Sequence, residues 1–244
     1  DPPIGEAEKT IAQYAAEMVH DGDCIQLGFG GIPNAIGFEL MNRHDLGIHT
    51  EQIGASMAHM IQNGVVTNRY KNLDKGWSVG AFIIADNFTY NYVNNHPRIM
   101  MRRGRYTNDP MVIAQQDNMV SINAALQIDL TGQVAAEALG HIQFSGTGGA
   151  TDYAYGAYHS RGGRAMLCQI STAKKGTVSR IAPILDPGSI VSVSRNLTDM
   201  VITEYGVAKL RQRTVKQRVE NLIAVAHPDF RAELRKEANK YMYF

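Results

Sequence analysis

Two hydrophobic rhythms run along this chain, and the switches between them mark most of its elements. Ile11, Ala15, Met18 and Val19 recur at helical spacing, which predicts an amphipathic helix over Glu6 to His20, with Asp21 to Asp23 turning the chain. The apolar run Cys24 to Leu27 then predicts a short buried strand. A Gly-rich turn, GFGGIP, follows it, then a helical segment near Asn34 to Met41 and a second short strand ending at Glu51. A strand, turn, helix, strand unit brings its first turn and the end of its second strand to one edge of a parallel sheet, where open α/β proteins place their ligands.

Further along, Ile53 to Ile61 predicts a helix stopped by Asn63 and Gly64, and the polar stretch Gly64 to Lys75 predicts a loop or hairpin. Trp77 to Ala85 has strand composition, Asp86 caps a helix reaching Asn94, and Ile99 to Arg102 predicts another strand. The loop GRYTNDP ends in a turn at Asn108, Asp109 and Pro110. Met119 to Asp129 alternates as a half-buried strand does, and Thr131 and Gly132 turn it towards Val134 to Leu139 as an antiparallel hairpin, which argues against a purely doubly wound parallel sheet. A second Gly-rich loop, Phe144 to Arg164, contains a short helical stretch beginning near Thr151. Four short strands are expected at Ala165 to Ile170, Arg180 to Leu185, Ile190 to Ser194 and Met200 to Thr203. Helices are expected at Gly206 to Arg211, Thr214 to Ala224 and Pro228 to Tyr241. The expected class is mixed α/β, a mainly parallel sheet flanked by helices, in one undivided domain spanning 1–244.

Composition narrows the function classes. The 244 residues can bury a substantial core, and 44% hydrophobic with 19% charged residues is ordinary for a globular protein. A net charge of +1 creates no field that favours nucleic acid or a membrane surface. Cys24 and Cys168 lie far apart without metal-ligand spacing, so both are expected as buried free thiols in a reducing compartment, and no metal site is expected. With no apolar run long enough for a membrane span and no signal peptide, a cytoplasmic protein is expected. The start, DPPIGEAEKT, has no initiator Met and suggests a piece of a longer polypeptide.

The candidate chemistry lies in the pairing of Glu51 with the glycines. Backbone amides in Gly-rich turns and at helix starts hold anionic oxygen, and Gly28 to Gly31 and Gly146 to Gly149 both offer such amides. The second loop also reads as a plain turn with positive φ, GFGGIP is not the dinucleotide GxGxxG because its last position is Pro33, and a lone Glu at a strand end is more often surface than catalytic. His49 stands two residues before Glu51 on the same side of the strand, where it either orients the carboxylate or packs. Lys174, Lys175 and Arg180 are equally readable as phosphate contacts or as a solvated loop, and Asp109 and Asp117 read as turn residues.

Several phrases together are more specific. GFGGIPNAI, LGIHTE, NDPMVIAQQDNMVSINAALQIDLTGQV, FSGTGGATDYAYGA, STAKKGTVSRIAPILD, VITEYGVAKLR and AHPDFRAEL resemble, in this order, the C-terminal half of the acetyl-CoA hydrolase/transferase family, nearest to its 4-hydroxybutyrate and butyryl-CoA:acetate type CoA-transferases. The resemblance covers essentially the whole chain. It implies a fold of the CoA-transferase type, a missing N-terminal domain and a possible homodimer. It also implies transfer of coenzyme A between an acyl-CoA and a short-chain carboxylic acid, with CoA as substrate and no tightly bound cofactor. Glu51 then matches the catalytic glutamate, which forms a covalent glutamyl-CoA thioester in a ping-pong cycle. Gly28, Phe29, Gly30, Gly31 and Ile32 match a CoA-contacting segment. Gly146, Gly148 and Gly149 match a loop that supplies amides to the reacting carbonyl and CoA, and Asn123 belongs to a segment approaching the site. Gln52 to Ser56, Ala150, Thr151 and Tyr153 depart from the family pattern, which bears on acyl selectivity more than on chemistry. A glutamate is ionised at neutral pH and attacks a thioester without a general base, so no triad is needed. The rival readings are a thioester hydrolase using the same Glu51, and a CoA- or nucleotide-binding module without catalysis.

Overall fold

A computed structural model describes residues 4–241. Its centre is a six-stranded sheet built from β1 (Cys24–Leu27), β2 (Gly47–Ile48), β3 (Met119–Ala124), β4 (Arg164–Cys168), β5 (Met200–Thr203) and β6 (Gly206–Lys209), in the spatial order β2-β1-β3-β4-β5-β6. Every pair is parallel except β5 with β6. The sheet is therefore mixed and mainly parallel, as expected from the sequence.

Side-chain alternation along these strands feeds two separate cores. Ile25, Leu27, Val120, Ile122, Met166 and Ile202 face helices α1 (Glu6–Glu17), α2 (Gly31–Glu39) and α3 (Ala55–Gln62), which contribute Ile11, Ala15, Ile36 and Met57. Cys24, Met119, Leu167 and Val201 face the other way, towards α4 (Ala150–His159), α5 (Val215–Ala224) and α6 (Pro228–Lys240) with Tyr153, Val219, Leu222 and Leu234. Both faces are thus covered, the arrangement a parallel sheet requires. Thr214 and Gln217 form a reciprocal capping box on α5, and Pro228 occupies the first turn of α6. Among the described residues no helix is long and apolar enough to cross a membrane.

Several expectations change on contact with the structure. Gly206 to Arg211 is not helical: Gly206–Lys209 returns along β5 as an antiparallel edge strand, pairing Ile202 with Val207. Trp77 to Ala85 is two strands, Ser78–Gly80 and Phe82–Ile83, because the Ala81 and Phe82 amides turn aside to donate to the Glu51 carbonyl at 2.8 and 3.1 Å. Met119 to Asp129 is also two strands; the hairpin joins Gln127–Asp129 to Val134–Ala135 in a small sheet of its own, outside the central one. Asp129 drives that turn by accepting from Thr131 and Gln133. Of Ile190 to Ser194 only Val193 pairs, as an isolated bridge to Val134. The GRYTNDP loop contains two one-turn helices, Gly104–Thr107 and Pro110–Ile113, the second capped by Asp109. The helix after GFGGIP starts at Gly31 rather than Asn34 and tightens to a 3-10 turn over Leu40–Asn42. β2 stops at Ile48, so Glu51 lies in the bend beyond it.

Candidate active site

The chain leaves β1 towards β2 on one side and returns to β3 on the other, so the β1–β3 boundary is the point where the direction of winding reverses. A crevice opens at the carboxyl end of such a boundary. Gly28 leaves β1 there, its N–H donating to the Ile122 carbonyl at 2.8 Å. A side chain at Gly28 would place its Cβ 2.5 Å from Asn123 Oδ1, so glycine is what lets the two strands' ends lie together. Asn123 is fixed by a reciprocal amide pair with Gln26, Nε2 to Oδ1 at 2.9 Å and Nδ2 to Oε1 at 3.1 Å, and by Ser121.

A cleft of about 520 Å³ extends from this boundary, walled by Gly28, Phe29, Glu51, Asn123, Gly146, Gly148 and Gly149 together with Glu137, Asp152 and Ser192. Seven of the ten residues singled out in the sequence thus share one cavity. Gly30 instead lines a smaller cavity of about 290 Å³ on the far side of Phe29, with Gln52, Ser56 and Ile84. Gly31 and Ile32 stand in the first turn of α2 and line neither.

Glu51 is half-buried, and its Oε2 accepts the Gly149 N–H at 3.0 Å. Gly149 is the N-cap of α4, so the carboxylate sits on the positive end of a ten-residue helix. A Cβ at Gly149 would lie 2.8 Å from that same oxygen, 2.8 Å from Asn108 Nδ2 and 3.0 Å from Tyr153. The glycine therefore permits the contact, and Asn108 is brought to the same spot. Read from sequence as a turn residue, Asn108 carried one usable signal, its place ahead of the helix-starting Asp109–Pro110 pair. Burial, followed by the charge of Glu51, pushes the Asp152 carboxyl above its ordinary value. The same two causes hold the Tyr153 phenol well above its own.

Behind the cleft the polypeptide leading to Glu51 is held at every step. Ile48 donates to Asn68 Oδ1 at 2.8 Å and accepts from Lys71 Nζ at 2.8 Å. Lys71 is 2% exposed and also donates to Trp77 O at 2.6 Å, while Asn68 Nδ2 donates to Ser78 Oγ at 3.0 Å. Burial lowers the Lys71 pKa. His49 is fully buried, its Nε2–H donating to Thr107 O at 3.0 Å, a carbonyl that also accepts from Tyr153 OH at 2.7 Å. Burial and the Lys71 charge press its pKa down to about 4, so it is a neutral packed histidine that does not touch the carboxylate. Its contact with Thr107 nevertheless fixes the residue next to Asn108. Lys174 and Lys175 form the exposed tip of a hairpin and line neither cavity.

The Glu51 carboxylate thus sits on a helix N-terminus at the switch point of a mainly parallel sheet. Residues 86–238 match the acetyl-CoA hydrolase/transferase C-terminal domain, and the chain belongs to that family. It is similar, at 46% identity over 98% of its length, to the succinyl-CoA:cyclohexane-1-carboxylate CoA transferase of Geobacter metallireducens, 55% of which is covered. The 4-hydroxybutyrate coenzyme A transferase of Clostridium kluyveri is 44% identical over 98% of this chain and 56% of its own. Among solved structures, RipA from Yersinia pestis superimposes with a TM-score of 0.96 at 43% identity, covering 100% of this chain and 55% of that one. The chain thus spans about half the length of the relatives it matches.

Proposed function

We propose that the protein transfers coenzyme A between an acyl-CoA and a short-chain carboxylic acid through Glu51. The observation that carries this reading is the seat of the Glu51 carboxylate, open to the cleft on one side and bonded by the Gly149 amide on the other. The relatives named for CoA transfer supply the substrate class.

The Glu51 carboxylate attacks the thioester carbonyl, forming a mixed anhydride and expelling CoA as the thiolate. The thiolate then attacks the glutamyl carbonyl, giving a Glu51–CoA thioester and freeing the first acid as its carboxylate. An incoming carboxylate reverses both steps. In the second step the negative charge develops on a glutamyl oxygen, and the Gly149 N–H already points at one. A fixed donor of that kind lowers the barrier by about 3 kcal/mol. The Asn108 amide and the N–H groups of Gly146 to Gly148 are the donors available for the other tetrahedral species.

The test is consumption of acyl-CoA with and without a short carboxylic acid, in the protein and in Glu51→Gln. Acid-dependent turnover that disappears in Glu51→Gln is expected. Equal turnover without acid would assign hydrolysis, and full activity in Glu51→Gln would overturn the covalent route.

A further inference from the structure

We propose that Glu137 binds ligand, its carboxylate accepting the N–H of the amide nearest the sulfur in the pantetheine arm of coenzyme A; this assignment rests on the CoA-transfer reading. Glu137 is 8% exposed and shares the cleft with Glu51. Among the described residues its carboxylate accepts no hydrogen bond and pairs with no cation. Its backbone does the structural work, the carbonyl accepting from Phe144 and Ser145 at 2.8 and 3.3 Å. The side chain thus adds no bond to the fold, and the residue lines the cleft where a ligand can meet it.

The lining of the cleft indicates which kind of donor Glu137 suits. Its ionisable lining is acidic throughout, Glu51, Glu137 and Asp152, with no Lys, Arg or His. An anionic group has no counter-charge on these walls, whereas a neutral donor meets an open acceptor. Beside Glu137 runs the loop Gly146 to Gly148, whose N–H groups have no acceptor among the described residues. One wall therefore presents an acceptor and the next presents donors. A secondary amide satisfies both at once, its N–H on Glu137 and its C=O on the loop. In pantetheine the first such amide is separated from the sulfur by two methylenes, so a sulfur brought to the Glu51 carbonyl carries it into the same cleft.

The test measures binding of CoA and of an analogue in which that amide N–H is replaced by an ester oxygen, by calorimetry, in the protein, Glu137→Gln and Glu137→Ala. The unaltered protein is expected to bind the analogue at least about tenfold more weakly, as loss of a hydrogen bond to a charged acceptor implies. In Glu137→Ala the two ligands are expected to bind within twofold of each other. Equal discrimination in all three proteins overturns the assignment. If the unaltered protein binds CoA and the variants discriminate as it does, Glu137 alone is wrongly assigned; if it binds neither ligand, the CoA-transfer reading falls as well.

Discussion

The two sides of the segment Ile48 to Glu51 are built on opposite terms. On the rear side Asn68 and Lys71 bond the Ile48 backbone and the Thr107 carbonyl accepts His49 Nε2–H, at 2.8 to 3.0 Å among buried side chains, with His49 Nδ1 left without a partner among the described residues. On the front side, three residues on, Glu51 faces a cleft whose Gly146 to Gly148 amides and Glu137 carboxylate have no partner among the described residues. Hydrogen bonds made within the chain fix position, while those left unmade are the ones a ligand can complete. The difference divides the residues around Glu51 into those that hold it and those that wait for substrate, and substitutions on the two sides should separate accordingly.

The largest effect is expected at the front. Gly149→Ala would drive a methyl group to within 3 Å of Glu51 Oε2 and Asn108 Nδ2, and is expected to lower kcat by about 100-fold or more by pushing the carboxylate off the amide at position 149, with little change in denaturant midpoint. Parallel losses of kcat and of stability would erase the distinction between the two sides. On the rear side, Lys71→Met leaves the Ile48 and Trp77 carbonyls without their donor and is expected to cost about 3 kcal/mol in urea unfolding. An unchanged unfolding midpoint would show that the buried ammonium holds nothing.

The smallest effect appears only in acid. His49 is held neutral down to about pH 4 in the fold, whereas an unfolded histidine takes its proton near pH 6.5. Below pH 6.5 the unfolded chain therefore binds the extra proton, and stability falls until the folded pKa is reached; above 6.5 the two states bind protons alike and His49 contributes no slope. At pH 5 the loss is about 2 kcal/mol. In His49→Gln, which keeps a donor for Thr107, urea midpoints between pH 7 and 5 are expected to decline less steeply. Identical slopes would place the titrating group elsewhere.

Legibility in the sequence followed how locally each feature is determined. The strand Cys24–Leu27, the helix starting at Thr214 and the helix begun by the second Gly-rich loop were readable because each depends on residues within a few positions. Gly206–Lys209 was not, since a short apolar run fits either period and only pairing with β5 decides for a strand. The break at Ala81 arises from a carbonyl thirty residues earlier in the chain, that of Glu51, and no local pattern encodes it. Glu51 and the two glycine loops were readable from the residues and Asn123 from the family resemblance; the fold brings Glu51, Asn123, Gly28, Phe29, Gly146, Gly148 and Gly149 to one cleft but leaves Gly30, Gly31 and Ile32 outside it. Asn108 and Glu137 were missed because their meaning is spatial: one is set beside Gly149 by a loop, the other is left unpaired on a wall.

The most direct measurement is peptide mass spectrometry after the protein is incubated with acetyl-CoA and then borohydride. A glutamyl thioester at position 51 is reduced to an alcohol, so the peptide containing Glu51 should lose the mass of one oxygen and gain two hydrogens, in proportion to the acetyl-CoA supplied. An unmodified Glu51 under conditions where acyl-CoA is being turned over, or the same mass change on another acidic residue of the cleft, would contradict covalent transfer through this carboxylate.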